Sequence, residues 1–362
     1  MGRPLLRAAP LLGALLLAQG CGGSDGAGPE EPEEPGFSLA LAAGSLTLTR
    51  GESTRIHVTV RRRGGFAQAV AVTVTGAPAG VSVASGTVPG GAESVFLDVV
   101  SGGAAPVGVA TLTVEATAPG AAAATASLTL RVAAPPIPFE GTIFIDPDII
   151  TPDDPTTLVS VTPAGRGKRR VYDRRAGWVT LDVHLFDLAF GDGLTAEAQV
   201  NPEFGSQDAE DVARYYADAV GRLPKALRRD VDALWIHEGV QLFGGGNRSL
   251  LIHTGQGVIY DADGILEETL AHEAAHTSLD ADWASSAGWL AAQRDDGTFI
   301  STYARDNPTR EDVAETFVPY IAVRYRADRI PAEMADAIRR AIPFRMAFLD
   351  SLGLDLGLLG GG

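Results

Sequence analysis

Cysteine is almost missing: Cys21 is the only one in 362 residues. No internal disulfide can form, so stability must come from packing. Cationic residues are also few, 29 Lys and Arg against 45 Asp and Glu, a net charge of −16. Such a chain repels phosphate backbones, which argues against nucleic acid as a partner. Only three methionines occur. The longest apolar run, Pro10 to Ala18, is too short to span a bilayer.

That run follows Arg3 and Arg7 and precedes small residues. The pattern predicts a secretory signal over residues 1–21. "LAQGC" resembles the lipobox of bacterial lipoproteins, and the resemblance implies cleavage before Cys21 and acylation of its thiol. The expected location is an extracytoplasmic membrane face. Gly22 after the cysteine leans towards an outer membrane or cell surface. Residues 22–36 are Gly, Pro and acidic residues and read as a solvated tether.

From residue 37 to 133 the pattern has period two. "TRIHVTVR" puts Ile56, Val58 and Val60 on one face, and "AVAVTVT" does the same for Val70, Val72 and Val74. Gly and Pro turns separate short strands, as in an antiparallel sandwich. The stretch resembles bacterial immunoglobulin-like modules of exported proteins. A proline-rich linker, 134–141, follows. Residues 142–355 change in composition: they hold all four tryptophans and five of the six histidines. Strands come first, "TIFI", "TTLVSV", "GWVTLDVHLF", "DALWIH" and "SLLIHTG", with helices after. That order predicts an α+β domain. The glycines of "LFGGGN" lack the lysine of a phosphate loop and read as a hairpin connection.

"LAHEAAHTSLD" carries His-Glu-x-x-His. At about 100° per residue, His272 and His276 fall about 40° apart on a helix, with Glu273 in the same arc. Two imidazoles one turn apart can bind one ion, and the carboxylate between them can reach a water. A third ligand is needed. Asp282 sits where a metzincin places its last ligand, but Leu279 replaces the required glycine, and no methionine follows until Met334. Glu311 and Glu315, one turn apart in "NPTREDVAETF", are the better candidates, and helix phase does not separate them. Asn307 and Pro308 are expected to start their helix. Glu267 and Glu268 open the zinc helix, where carboxylates complement its dipole. Asp280, one turn after His276, could orient that ring. His57, His184, His237 and His253 read as solvated or structural, with His253 closest to a presumed cleft.

"STYARDNPTREDVAETF" resembles the Tyr-then-Glu-x-x-Ala-Glu segment of lethal-factor-like metallopeptidases. His-Glu-x-x-His followed by a Glu ligand on a later helix is the gluzincin arrangement. The resemblance implies a zincin-like catalytic domain with one Zn²⁺, held by His272, His276 and Glu311. It further implies Glu273 as general base, Glu315 behind a ligand histidine, and Tyr303 facing the reacting carbonyl. One departure stands out: Tyr303 to Glu311 is one residue longer than usual. The expected function is an exported zinc endopeptidase acting on peptide or protein substrates. The alternative is a non-catalytic surface binding protein with a degenerate peptidase domain.

Overall fold

The computed structural model describes residues 33–143 and 149–357. The signal, Cys21, most of the tether and the end of "TIFI" lie outside them.

Nine strands come first: β1 Gly36–Leu41, β2 Ser45–Thr49, β3 Ser53–Arg63, β4 Val70–Thr75, β5 Val81–Val83, β6 Gly86–Val88, β7 Ser94–Ser101, β8 Gly108–Thr117 and β9 Ala124–Ala133. They make two sheets, ordered β1-β3-β7-β5 and β2-β9-β8-β4-β6. The period-two residues face inward as the alternation requires: Ile56, Val58, Val60, Val70 and Val72 join Leu97, Leu112, Val114, Leu128 and Leu130 in one core.

The third sheet runs β10-β11-β12-β13-β14. Its strands are β10 Leu158–Asp173, β11 Gly177–Phe190, β12 Thr195–Val200, β13 Ala233–His237 and β14 Ser249–His253. Helices α1 Ser206–Gly221 and α2 Lys225–Arg228 lie between β12 and β13. After β14 come α3 Thr254–Ala262, α4 Leu266–Ser278, α5 Asp280–Trp283, α6 Ala287–Asp296, α7 Thr302–Asp306, α8 Asp312–Tyr325, α9 Ala332–Ala341 and α10 Pro343–Ser351. Strands β13 and β14 read ALWIH and SLLIH, and every residue of both is buried. Leu234, Ile236, Leu250 and Ile252 join the core with α1, α4 and α8. Trp235 and Leu251 point the other way and pack with Val171 and Tyr172 of β10.

An Ig-like sandwich followed by an α+β zincin-like domain does not describe this chain. Among the described residues it is strand-rich, 35% strand against 30% helix, with three sheets and curled half-barrel surfaces. The reason is physical. Alternation fixes which side of a strand is buried, but not how long the strand runs or which strands meet. β2 pairs with β9 in parallel. β10 and β11 run through the basic run GKRRVYDRR, residues 167–175, as one long hairpin, with register shifts at Leu158/Ser160 and Pro163/Gly165. Such shifts bend and twist a strand, and the hairpin tip covers the outer face of β13 and β14. A second correction concerns "LFGGGN": β13 and β14 are parallel, so residues 238–248 form a crossover and not a hairpin.

The proline-rich linker docks instead of hanging free. Thr302 N donates to Phe139 O (3.0 Å), and Gly141 N donates to Thr302 Oγ1 (2.8 Å). Arg50, fully buried, joins the first core to the helices: Nε donates to Ala105 O (2.9 Å), and Nη2 to Asp295 O (2.8 Å).

Candidate metal centre

Helix α4 supplies the first two donors. It has no internal proline, its buried side carries Leu270, Ala271, Ala274 and Ala275, and it packs against α8. Small alanines let α4 approach its neighbours closely. His272 and His276 then stand one above the other, with Nε2 atoms 3.2 Å apart. Glu311 ends the turn that leads into α8, its N–H donating to Asn307 O (2.9 Å). Its Oε2 lies 3.1 Å from His276 Nε2 and 3.6 Å from His272 Nε2.

These three separations test whether an ion fits. Donors about 2.0–2.1 Å from a tetrahedral Zn²⁺ stand about 3.3–3.4 Å from one another. The observed 3.1–3.6 Å brackets that value. Among the described residues, His272, His276 and Glu311 form the one group of His, Cys, Asp or Glu with donor atoms converging in this way. They line a cleft of about 560 Å³ together with Glu273, Tyr303, Asp280 and Arg310.

The supporting groups fix the donors. His276 Nδ1 bonds Asp280 Oδ2 at 2.7 Å, the contact expected for a residue one turn on. Glu315 is fully buried behind His272, its Oε1 3.7 Å from Nδ1. Its other oxygen accepts from Ser301 Oγ (2.5 Å) and Ile143 N (3.1 Å). Of the two glutamates left open by helix phase, Glu311 therefore lies with the histidines' Nε2 atoms and Glu315 does not. Asp282 lies away from the group and pairs with Arg229.

Charge follows this geometry. Burial opposes protonation of His276, but Asp280 and Glu311 outweigh it and push the imidazole up to about 10. Burial raises the Glu311 carboxyl, yet bonds from His272 and His276 hold it far below the usual range. Burial, then the Glu311 charge, pushes the Tyr303 phenol up. The phenol thus stays protonated at neutral pH and can donate.

Other expected residues have structural work. Glu268 accepts from Ile149 N (2.6 Å) and Ile150 N (2.9 Å), and Glu267 pairs with Arg222 at 3.2 Å. Both are buried, which the dipole argument alone did not imply. His184 Nε2 bonds Phe204 O at 3.0 Å. His237 and His253 are fully buried near Asp173, on the sheet face that Trp235 and Leu251 share, away from His272, His276 and Glu311.

Sequence reasoning missed two wall elements. The first is Gly245: a Cβ there would lie 1.9 Å from Glu273 O. The crossover therefore rests directly on the α4 backbone, and Gly246 N donates to Thr277 Oγ1 (2.8 Å). Three consecutive glycines were the available signal for such close approach. The second is Arg174 at the β10–β11 tip, which reaches the crossover from 68 residues away in sequence. It lies in the basic run GKRRVYDRR, which reads from the sequence as a solvated hairpin face or a docking patch and does not point to this cleft.

The chain matches no protein-family model. No curated protein matches it either. Among solved structures, domains 4 and 5 of the S-layer protein SbsC are similar at 19% identity, over 26% of this chain and 51% of that one, with a TM-score of 0.21. A conjugative transposon lipoprotein from Bacteroides eggerthii aligns at 10% identity over 26% of this chain and 95% of its own, also at 0.21. A Bacteroides ovatus GH5 xyloglucanase aligns at 12% identity over 84% of this chain and 62% of its own, at 0.19. The chain spans about half the length of the S-layer fragment it matches. Likenesses this slight carry no argument about activity.

Proposed function

We propose that this chain is an exported, lipid-anchored zinc endopeptidase. The observation that carries the reading is the convergence of His272, His276 and Glu311 at separations of 3.1–3.6 Å, in a cleft that also holds Glu273 and Tyr303. His272, His276 and Glu311 would hold the ion. Zinc bound there supplies a Lewis acid that polarises a carbonyl and acidifies a water.

The chain's own residues do the rest. Glu273 takes the proton of the attacking water and passes it to the leaving amine. Tyr303 donates a hydrogen bond to the carbonyl oxygen as charge builds on it. Asp280 holds the His276 ring through Nδ1, leaving Nε2 for the metal. Glu315 stands behind His272 in the same supporting role. Three protein donors leave one position open, as catalysis requires and a purely structural site does not. The crossover at Gly244–Gly246 and Arg310 border the cleft where an extended peptide would lie. Export and anchoring through Cys21 rest on the N-terminal signal alone.

The test is metal analysis and peptide cleavage on residues 37–362 and on its Glu273→Gln variant. The parent should carry near one zinc per chain and cut a peptide library. Glu273→Gln should keep the zinc and lose about 10²–10⁴-fold in turnover. A parent that takes up no zinc and cuts nothing would move the chain to a surface binding role.

A further inference from the structure

A second pocket, of about 210 Å³, adjoins the metal cleft. Tyr172, Trp178, Trp235 and Leu251 form its apolar wall. Arg174 and Gly244–Gly246 line both spaces, so only a backbone strip without side chains and one guanidinium separate them. The strip cannot swing away freely, because Gly245 lies on the α4 backbone beside Glu273.

The wall is built before any ligand arrives. Trp178 stands edge-on to Tyr172 and to Trp235, each with ring centroids 5.5 Å away. Arg170 lies 4.8 Å from the Trp178 centroid. Tyr172 and Trp178 are cross-strand partners at the hairpin tip, and Trp235 comes from β13 of the same sheet. Trp178 is nonetheless 45% exposed. An ordered indole left open to water on a rigid frame is a low-entropy surface for an apolar group.

Arg174 is fixed as well. Its Nε donates to Leu242 O (2.7 Å) and Nη2 to Phe243 O (2.6 Å). Its neighbour Arg175 pairs with Asp173 and Glu203, whereas Arg174 has only carbonyl partners among the described residues. Two of its donors are spent on orientation, and the guanidinium charge remains for an incoming carboxylate.

We propose that this pocket is a substrate subsite that takes a bulky aromatic side chain, while Arg174 binds a carboxylate beside it. The inference rests on the peptidase reading and names its substrate class: polypeptides with an aromatic residue next to an acidic one, or with an aromatic residue at a free C-terminus.

The experiment uses the zinc-loaded Glu273→Gln protein, so that peptides are bound and not consumed, with tryptophan fluorescence as readout. The probes are acetyl-Ala-Ala-Phe-Asp-Ala-amide, its Phe-to-Ala and Asp-to-Asn analogues, and acetyl-Ala-Ala-Phe with a free carboxylate. The Phe-Asp peptide should bind at least tenfold tighter than either analogue. Tight binding of the last peptide assigns the carboxylate to a chain terminus, and weak binding assigns it to a side chain. Trp178→Ala should erase the phenylalanine advantage and Arg174→Gln the carboxylate advantage, with zinc content and circular dichroism unchanged. Equal affinities for all four peptides, or preferences that survive both substitutions, would overturn the subsite. Cleavage by the parent separates the two proposals. Cutting without aromatic preference removes the subsite alone, while Trp178-dependent binding without cutting removes the peptidase reading and leaves a peptide-binding pocket.

Discussion

Glu311→Ala is the sharpest perturbation of the proposed centre. Structural zinc sites with four donors bind with about 10–16 kcal/mol at neutral pH, or about 2.5–4 kcal/mol per donor. Losing one donor should therefore weaken zinc binding by about 10²–10³-fold. Glu315→Ala removes a group that stands 3.7 Å from His272 Nδ1 and reaches no Nε2 atom. Loss of an orienting partner costs about 10–100-fold. The two variants should thus differ by about tenfold, with Glu311→Ala the weaker. The assay is competition against a chromophoric zinc chelator at pH 7.5, with circular dichroism of the metal-free proteins to show that both remain folded. The sign of the fold effect is also testable. In the metal-free protein the Glu311 charge is stabilised by both histidines, so its removal should lower stability as well as zinc affinity. Zinc retained within tenfold in Glu311→Ala, and lost in Glu315→Ala, would refute the assignment and shift the third donor by one turn.

Further outcomes follow from other contacts. Tyr303→Phe should leave zinc content unchanged and lower kcat by about 10²-fold, the loss expected of one oxyanion donor; equal kcat would remove the tyrosine from the chemistry. Arg50→Ala strips buried donors from Ala105 O and Asp295 O and should cost about 3–5 kcal/mol in urea unfolding. A change below 1 kcal/mol would mean that the first core is held to the helices by other contacts. Burial lowers His237 to about 4 against an ordinary 6.5, despite the nearby Asp173 charge. A depressed histidine contributes stability that is present above pH 6.5 and lost as pH falls towards 4. The loss should reach about 2.5 kcal/mol at pH 4.5. His237→Gln should flatten that part of the pH–stability curve, and an unchanged slope would place the acid sensitivity elsewhere.

The two histidines were legible because their relation is local: residues one turn apart on a helix must share a face. Asp280 was legible for the same reason. Glu311 and Glu315 sit one turn apart too, and locality could not choose between them. The choice is made by tertiary contacts, chiefly Ser301 Oγ and Ile143 N, which occupy Glu315. The strand faces around Val58 and Val72 were legible as alternation, but sheet order was not. β2 meets β9 across some eighty residues, and nothing in either segment specifies the partner. The helix breaks show the same limit. The stretch 331–351 is rich in helix-forming residues, yet Pro343, which has no N–H to give, starts a new helix after Ile342. Asn307 and Pro308 were expected to open the helix of the glutamates. They form instead the turn between α7 and α8, with Glu311 at its end.

That turn explains why Glu311, the proposed third donor, can be rigid although it lies at a helix end, where fraying is ordinary. Asp312 follows Glu311 directly and is buried. Its Oδ2 accepts from Arg345 Nε (2.9 Å) of α10 and from Gln293 Nε2 (3.0 Å) of α6. Arg345 in turn bonds Asp296 Oδ2 (3.1 Å) and Thr298 O (3.0 Å). Asp296 lies 4.0 Å from Arg50, the residue that reaches in from the first core. On the other side, the docked linker holds Ser301 and Thr302, which position Glu315 and the start of the tyrosine helix. The start of α8, which carries Glu315 and follows Glu311, is thus tied by polar contacts from distant segments. Such contacts cost desolvation and add little net stability. Their effect is to hold the side chains at fixed separations, and the proposed site, which would accept an ion and a reacting carbonyl, would need that geometry more than another apolar contact.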